Sequence, residues 1–192
     1  LAGGTPVRHR GHQHAGERSM SLRRSKGFTL VELMITIAVL AVLVAIAFPS
    51  FRGVMRNNQV ASANNEVLGL FALARSEGLR NNRGAGVCAS TTGSACDGSW
   101  GDGLMAYGDL DGDGTFGGGD TVLRFVQIRP ALTVTSAASA SSGFIFDSRG
   151  RSRATANQSI IITPSACKPG EPRRTLTVNL SGQVRVLQDT CS

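Results

Sequence analysis

Asp109, Asp111 and Asp113, followed by Gly114 and by Asp120 at the twelfth position of the run, fit the pattern D-x-D-x-D-G with a closing acid. That pattern wraps oxygen ligands around calcium. Aspartate is a shorter closing arm than glutamate, and Asp/Gly clusters also turn hairpins, so the same residues read either as a calcium loop or as a plain Asp/Gly turn. No cofactor other than calcium is expected. A second group is basic: Arg149, Arg151 and Arg153 fall within five residues, and Arg173, Arg174 and Arg185 bracket the last two apolar runs. Guanidinium clusters of this kind contact phosphate, which makes DNA a candidate partner; the alternative is a solvated surface, or pairing with the Asp-rich turn. Cys88, Cys96, Cys167 and Cys191 show neither C-x-x-C nor zinc spacing, so they read as disulfides. Of the three pairings, Cys88 with Cys96 and Cys167 with Cys191 is favoured, because each closes a local loop. His9, His12 and His14 all precede residue 28, so the rest of the chain can assemble no Ser/His/Asp or Cys/His constellation. No enzyme is expected.

These groups are sorted along the chain by charge. Residues 1–27 carry six bases against Glu17, 97–120 hold six Asp and no base, and 121–192 hold nine bases against three acids. The formal charge of +7 is therefore mostly a property of the front, and any polyanion site in the folded part belongs in the last third.

The element between the basic front and the folded part is apolar. Phe28 to Phe48 is a 21-residue run with one charge, Glu32. At about 1.5 Å per helical residue it spans a hydrocarbon core of roughly 30 Å. Bases before it and none after it until Arg52 put its N-terminus on the cytoplasmic side and the remainder outside. A secretory signal peptide fits poorly, because the run is too long and the helical pattern continues past it. An unpaired carboxylate there costs on the order of 2.5–3.5 kcal/mol. Glu32 therefore calls for a partner amine, or for a position shallow enough to reach the interface. A cut after Gly27 would supply that amine at Phe28, on the same chain or on a neighbouring copy.

Beyond Pro49, Val60, Ala63, Val67, Leu70, Phe71 and Ala74 recur at three and four residues and define one face of a helix ending near Arg80–Gly84. Short runs follow that read as strands at 86–89, 104–107, 121–127, 132–135, 144–146, 159–163, 175–180 and 183–187. Ser181-Gly182 is read as a two-residue hairpin connection between the last two. The expected class is α+β: a long N-terminal helix packed on an antiparallel sheet. Its parts are a membrane segment over 28–55, an amphipathic outer helix over 56–83 and a disulfide-bridged head over 84–192.

Lys26-Gly27-Phe28-Thr29-Leu30-Val31-Glu32-Leu33, with the apolar run and Pro49, resembles the prepilin signature of type IV pilins and type II secretion pseudopilins. The resemblance implies cleavage between Gly27 and Phe28 by a prepilin peptidase, methylation of Phe28, Glu32 as the assembly residue, and a helix break or kink at Pro49. Residues 1–27 are then a leader, with 1–19 an upstream extension ahead of Met20. The head, through Val87–Ser90, Cys96, Gly98–Gly103, Asp109–Gly114 and Asp120–Arg124, resembles the GspH/FimT branch of pilin-like proteins. That branch implies a minor type IV pilin at or near the fibre tip. The alternative is a minor GspH-like pseudopilin of type II secretion. Expected partners are other pilins or pseudopilins through the N-terminal helix, the peptidase, and a bacterial inner membrane with the head in the periplasm. Some members of the branch bind DNA through a C-terminal G-R-x-R. Here Gly182-Gln183-Val184-Arg185 stands at that place without the first arginine, and Gly150-Arg151-Ser152-Arg153 matches the letters earlier in the chain.

Overall fold

The computed structural model describes residues 27–192; the leader to residue 26, the upstream extension and His9, His12 and His14 lie outside the described residues. The described chain divides into two units between Leu43 and Val44. One helix, α1 (Leu30–Asn81), is followed by eight strands: β1 (Gly84–Ala89), β2 (Gly103–Gly108), β3 (Thr121–Gln127), β4 (Leu132–Ser136), β5 (Phe144–Asp147), β6 (Gln158–Pro164), β7 (Pro172–Val178) and β8 (Val184–Thr190).

Both ends of α1 are fixed by local side chains. Thr29 is the N-cap, its Oγ1 accepting the Glu32 N–H at 3.2 Å while its carbonyl accepts Leu33 N–H at 3.1 Å. A cap satisfies a donor that the helix itself cannot, and Glu32 in the first turn also favours the positive end of the helix dipole. At the other end Asn82 takes the left-handed conformation, φ 55°. Asn81 Oδ1 meanwhile accepts the N–H groups of Arg83 and Gly84 at 2.9 and 3.1 Å. The helix is assigned without interruption through Pro49, as one long element. A proline removes only one i→i−4 bond, and the flanking turns carry the element across.

The strands form two antiparallel sheets rather than the one expected, ordered β3-β2-β1-β5 and β4-β6-β7-β8. The α1 residues Val60, Val67, Leu70, Phe71 and Ala74 are fully buried, so the three-and-four spacing marks the face that is covered. One core joins that face to Val87, Leu104, Ala106 and Phe146 of the first sheet and to Val134, Ile160, Ile162, Leu176 and Val178 of the second. Phe144 is central, packed edge-on to Phe71 at 4.9 Å and to Trp100 at 5.5 Å. Two glycines are required by close approach. A Cβ on Gly86 would stand 2.5 Å from the buried Tyr107 ring, and Gly143, at φ +67°, lies against the Val87 backbone.

The last hairpin departs from the expected strand limits. β7 starts at Pro172 and ends at Val178. The connection holds three residues, Leu180–Gly182, between Asn179 and Gln183, whose backbone bond is 3.0 Å. Gly182 at φ +75° supplies the left-handed position that a three-residue loop demands.

Candidate functional site

The first site is the N-terminal segment. Gly27, Phe28 and Thr29 precede the helix, and Phe28 is 81% exposed. The Glu32 carboxylate is exposed one turn into α1. The stretch Leu30–Phe48 has a mean hydropathy of 2.8 and none of it is buried among the described residues. Such a surface is stable only against lipid or other apolar helices. Thr29 went unread in the sequence, although T-x-x-E ahead of an apolar run is a cap signature.

The acidic run forms the connection from β2 towards β3. Asp109 is fully buried. Its Oδ1 accepts Gly112 N–H at 2.7 Å and its Oδ2 accepts Gly114 N–H at 3.0 Å. Arg153 Nη1 stands 3.5 Å from that Oδ2 and donates to the Gly112 carbonyl at 3.2 Å. Burial raises Asp109 above the ordinary carboxylate range, although these N–H groups pull it back. Asp120 accepts Leu110 N–H at 2.7 Å and Gly117 N–H at 2.9 Å. Carboxylate oxygens of Asp109, Asp111 and Asp120 lie within 4.8 Å of one another, whereas Asp113 turns away to Thr115, whose N–H and hydroxyl hold it below the usual range. A calcium cage needs six to eight free oxygens around the ion. Here the carboxylates accept backbone N–H groups and a guanidinium supplies counter-charge, while three of them also stand close enough together to share one cation. Tyr107 packs behind it, its hydroxyl donating to the Gly114 carbonyl at 3.3 Å; burial, and next the charge of Asp109, raise that phenol.

The arginines do not form one patch. Arg151 lies 3.3 Å from Asp147, and Arg153 belongs to the acidic turn. Burial raises Asp147, but N–H bonds from Arg151 and Arg149 outweigh it and leave the carboxyl below its ordinary range. On β7, Leu176 and Val178 face the core, so Arg174 shares their face and reaches Asn57 of α1 at 3.2 Å. Arg173 and Arg185 lie on the opposite face, so the bracket of three read from the sequence is split between two faces. The fold does unite two distant stretches: a Cβ on Gly182 would strike the Gly150 carbonyl, so Gly182–Arg185 and Gly150–Arg153 adjoin. Arg75 of α1 fixes this junction, Nε donating to the Gly150 carbonyl at 2.9 Å and Nη2 to the Ser181 carbonyl at 3.5 Å. No local signal pointed to Arg75.

Cys88 is bonded to Cys96 and Cys167 to Cys191, with Cα separations of 5.6 and 5.8 Å. The second bridge closes the β7–β8 hairpin opposite its turn. Glu171, inside that loop, pairs with Arg56 of α1.

A capped apolar helix that becomes amphipathic and carries two small antiparallel sheets, with a disulfide-closed last hairpin, defines the pilin and pseudopilin class. Residues 22–48 match the prokaryotic N-terminal methylation motif, and residues 63–182 match the family described as type II transport protein GspH; the chain belongs to that family. It is 32% identical over 146 residues to the type IV major fimbrial protein FimA of Dichelobacter nodosus, covering 76% of this chain and 84% of that protein. It is 42% identical over 55 residues to a fimbrial protein of Pseudomonas aeruginosa, covering 29% of this chain and spanning only 36% of that relative's length. Among solved structures it is similar in fold to the type IV minor pilin FimU of Pseudomonas aeruginosa, with a TM-score of 0.52 and 21% identity, covering 70% of this chain and 96% of that one.

Proposed function

We propose that the protein is a minor type IV pilin, a structural subunit without catalytic activity that helps to initiate or cap the fibre. The observation that carries the reading is the apolar helical stretch Leu30–Phe48, exposed among the described residues and lying within the matched methylation motif. The motif favours processing between Gly27 and Phe28 by a prepilin peptidase and methylation of Phe28, and the apolar surface then passes from lipid to the helices of neighbouring subunits. Glu32, exposed in the first turn, pairs with the amine of an adjacent Phe28 during assembly. In this reading the precursor crosses the bacterial inner membrane once, with its head in the periplasm. Deleting the gene should reduce surface pili, and mass analysis of sheared fibres should find the chain in trace rather than bulk amount. Normal piliation in the deletion strain would refute the proposal.

The description of the matched family favours a second reading, a minor pseudopilin of type II secretion. Loss of protein secretion with intact pili in the same deletion strain would establish it. For DNA contact during uptake, the supporting observation is the junction of Gly182–Arg185 with Gly150–Arg153. Arg149, Arg173 and Arg185 have no carboxylate partner among the described residues and are the side chains that such a contact would use.

A further inference from the structure

Strand β8, Val-Arg-Val-Leu-Gln-Asp-Thr, is an edge of the second sheet. It has no proline, no lysine and no bulge, and its only charges are Arg185 and Asp189. Leu187, at its centre, is 61% exposed.

The parity of its backbone groups follows from two bonds in the hairpin. Asn179 N–H donates to the Gln183 carbonyl and Cys191 N–H to the Glu171 carbonyl, so the residues that exchange bonds with β7 are 183, 185, 187, 189 and 191. The N–H and C=O groups of Val184, Val186, Gln188 and Thr190 therefore point outwards from the edge. On the side chains the alternation places Arg185, Leu187 and Asp189 together on the face away from the core, since Leu176, opposite Val186, is a core residue.

From this pattern we infer that β8 pairs antiparallel with β8 of a second copy of the chain, about a two-fold axis at Leu187. That register alone sets Val184 against Thr190 and Val186 against Gln188 of the other copy, so every outward backbone group on both strands finds a partner. It also sets Arg185 of each copy opposite Asp189 of the other, with the two Leu187 side chains in contact between the ion pairs. Within one chain Arg185 and Asp189 are four residues apart on an extended strand, roughly 13 Å, and cannot meet. Asp189 lies opposite Arg173 on β7, yet neither it nor Arg185 makes an ion pair among the described residues. The surface is self-complementary, as a two-fold interface must be. It joins the two four-stranded sheets into one of eight strands.

An axis of this kind reverses every direction lying in the sheet, including that of the helix packed on it. The two heads therefore cannot be neighbours whose helices run the same way in one membrane or one fibre; they belong to separate fibres. That last step rests on the fibre reading above, whereas the pairing needs only the fold.

The test uses the full chain in detergent micelles with Leu187→Cys as reporter and Val122→Cys, on the edge strand of the first sheet, as control. Under mild oxidation the Leu187→Cys chain should become a covalent dimer while the control stays monomeric, because at a non-hydrogen-bonded pair the two side chains approach most closely. Adding Arg185→Asp sets like charges opposite each other twice and should lower the dimer fraction about tenfold. Adding Asp189→Arg as well should restore it. Cross-linking at 187 no greater than at 122, or no recovery in the doubly reversed chain, overturns the inference, whatever the deletion strain shows of piliation.

Discussion

Replacing Asp109 by alanine should destabilise the head by about 3 kcal/mol. The carboxylate is fully buried and accepts from Gly112 and Gly114 while balancing Arg153. Leaving one buried N–H without an acceptor costs about 1–3 kcal/mol. Gly114 is buried and bears that cost in full, whereas Gly112 is half-exposed and recovers part of it from water. The Arg153 side chain is 40% exposed, so loss of its partner adds less than about 1 kcal/mol. Removing a charge that burial disfavours returns a fraction of the total. At roughly 2–4 °C per kcal/mol for a domain of this size, the melting midpoint should fall by about 6–12 °C. Asp109→Asn keeps the shape and one acceptor oxygen and should lose about half as much. Asp111→Ala removes one exposed local bond to Asp113 N–H and should stay within about 0.5 kcal/mol. The assay is thermal unfolding of the full chain in detergent followed by far-ultraviolet circular dichroism. If Asp109→Ala melted within about 2 °C of the wild type, or no lower than Asp111→Ala, the turn would not be organised by the buried carboxylate.

Maturation should separate into two steps: Gly27→Val leaves an uncut precursor, whereas Glu32→Ala is cut but fails to enter fibres, as read by mass spectrometry and by immunoblotting of sheared fibres. Millimolar calcium should leave the midpoint of the wild-type head within about 1 °C, because the loop oxygens already accept hydrogen bonds; a rise matching the roughly 2.7 kcal/mol expected at a hundredfold excess over Kd would establish a calcium site. If the head binds DNA, retardation in a mobility shift should weaken with salt by a slope of about 0.9 per phosphate neutralised, and Arg149→Ala with Arg185→Ala should flatten it. Absence of a shift at low salt in the wild type would end that reading.

Elements that rest on local periodicity were legible in the residues. The buried stripe of α1 is the set from Val60 to Ala74 picked out by spacing, and β3 falls where alternation and turn residues put it. The limits of β7 were not, because Arg173 and Arg174 carry no apolar alternation, and Ser181-Gly182 suggested a tighter turn than the one Asn179 organises through its bond to Gln183 N–H. Division into two sheets depends on β1 pairing with β5 and β4 with β6, choices made by the whole core and absent from any one segment. The same holds for the site. Arg153 over Asp109 and Arg56 at Glu171 join residues far apart in the chain, so the sequence offered each charge without its partner.

The hairpin of β7 and β8 is closed at one end by its turn and at the other by Cys167–Cys191, which makes it a covalent ring. Pulling a two-stranded ribbon from an open end breaks its bonds singly, like a zipper, and yields at low force. A ring has no open end. The Arg56–Glu171 pair ties α1 to a residue inside that ring, so the helix is held to a segment whose two ends are covalently joined. The last hairpin can therefore fray from neither end, and it opens only if its bridge is reduced.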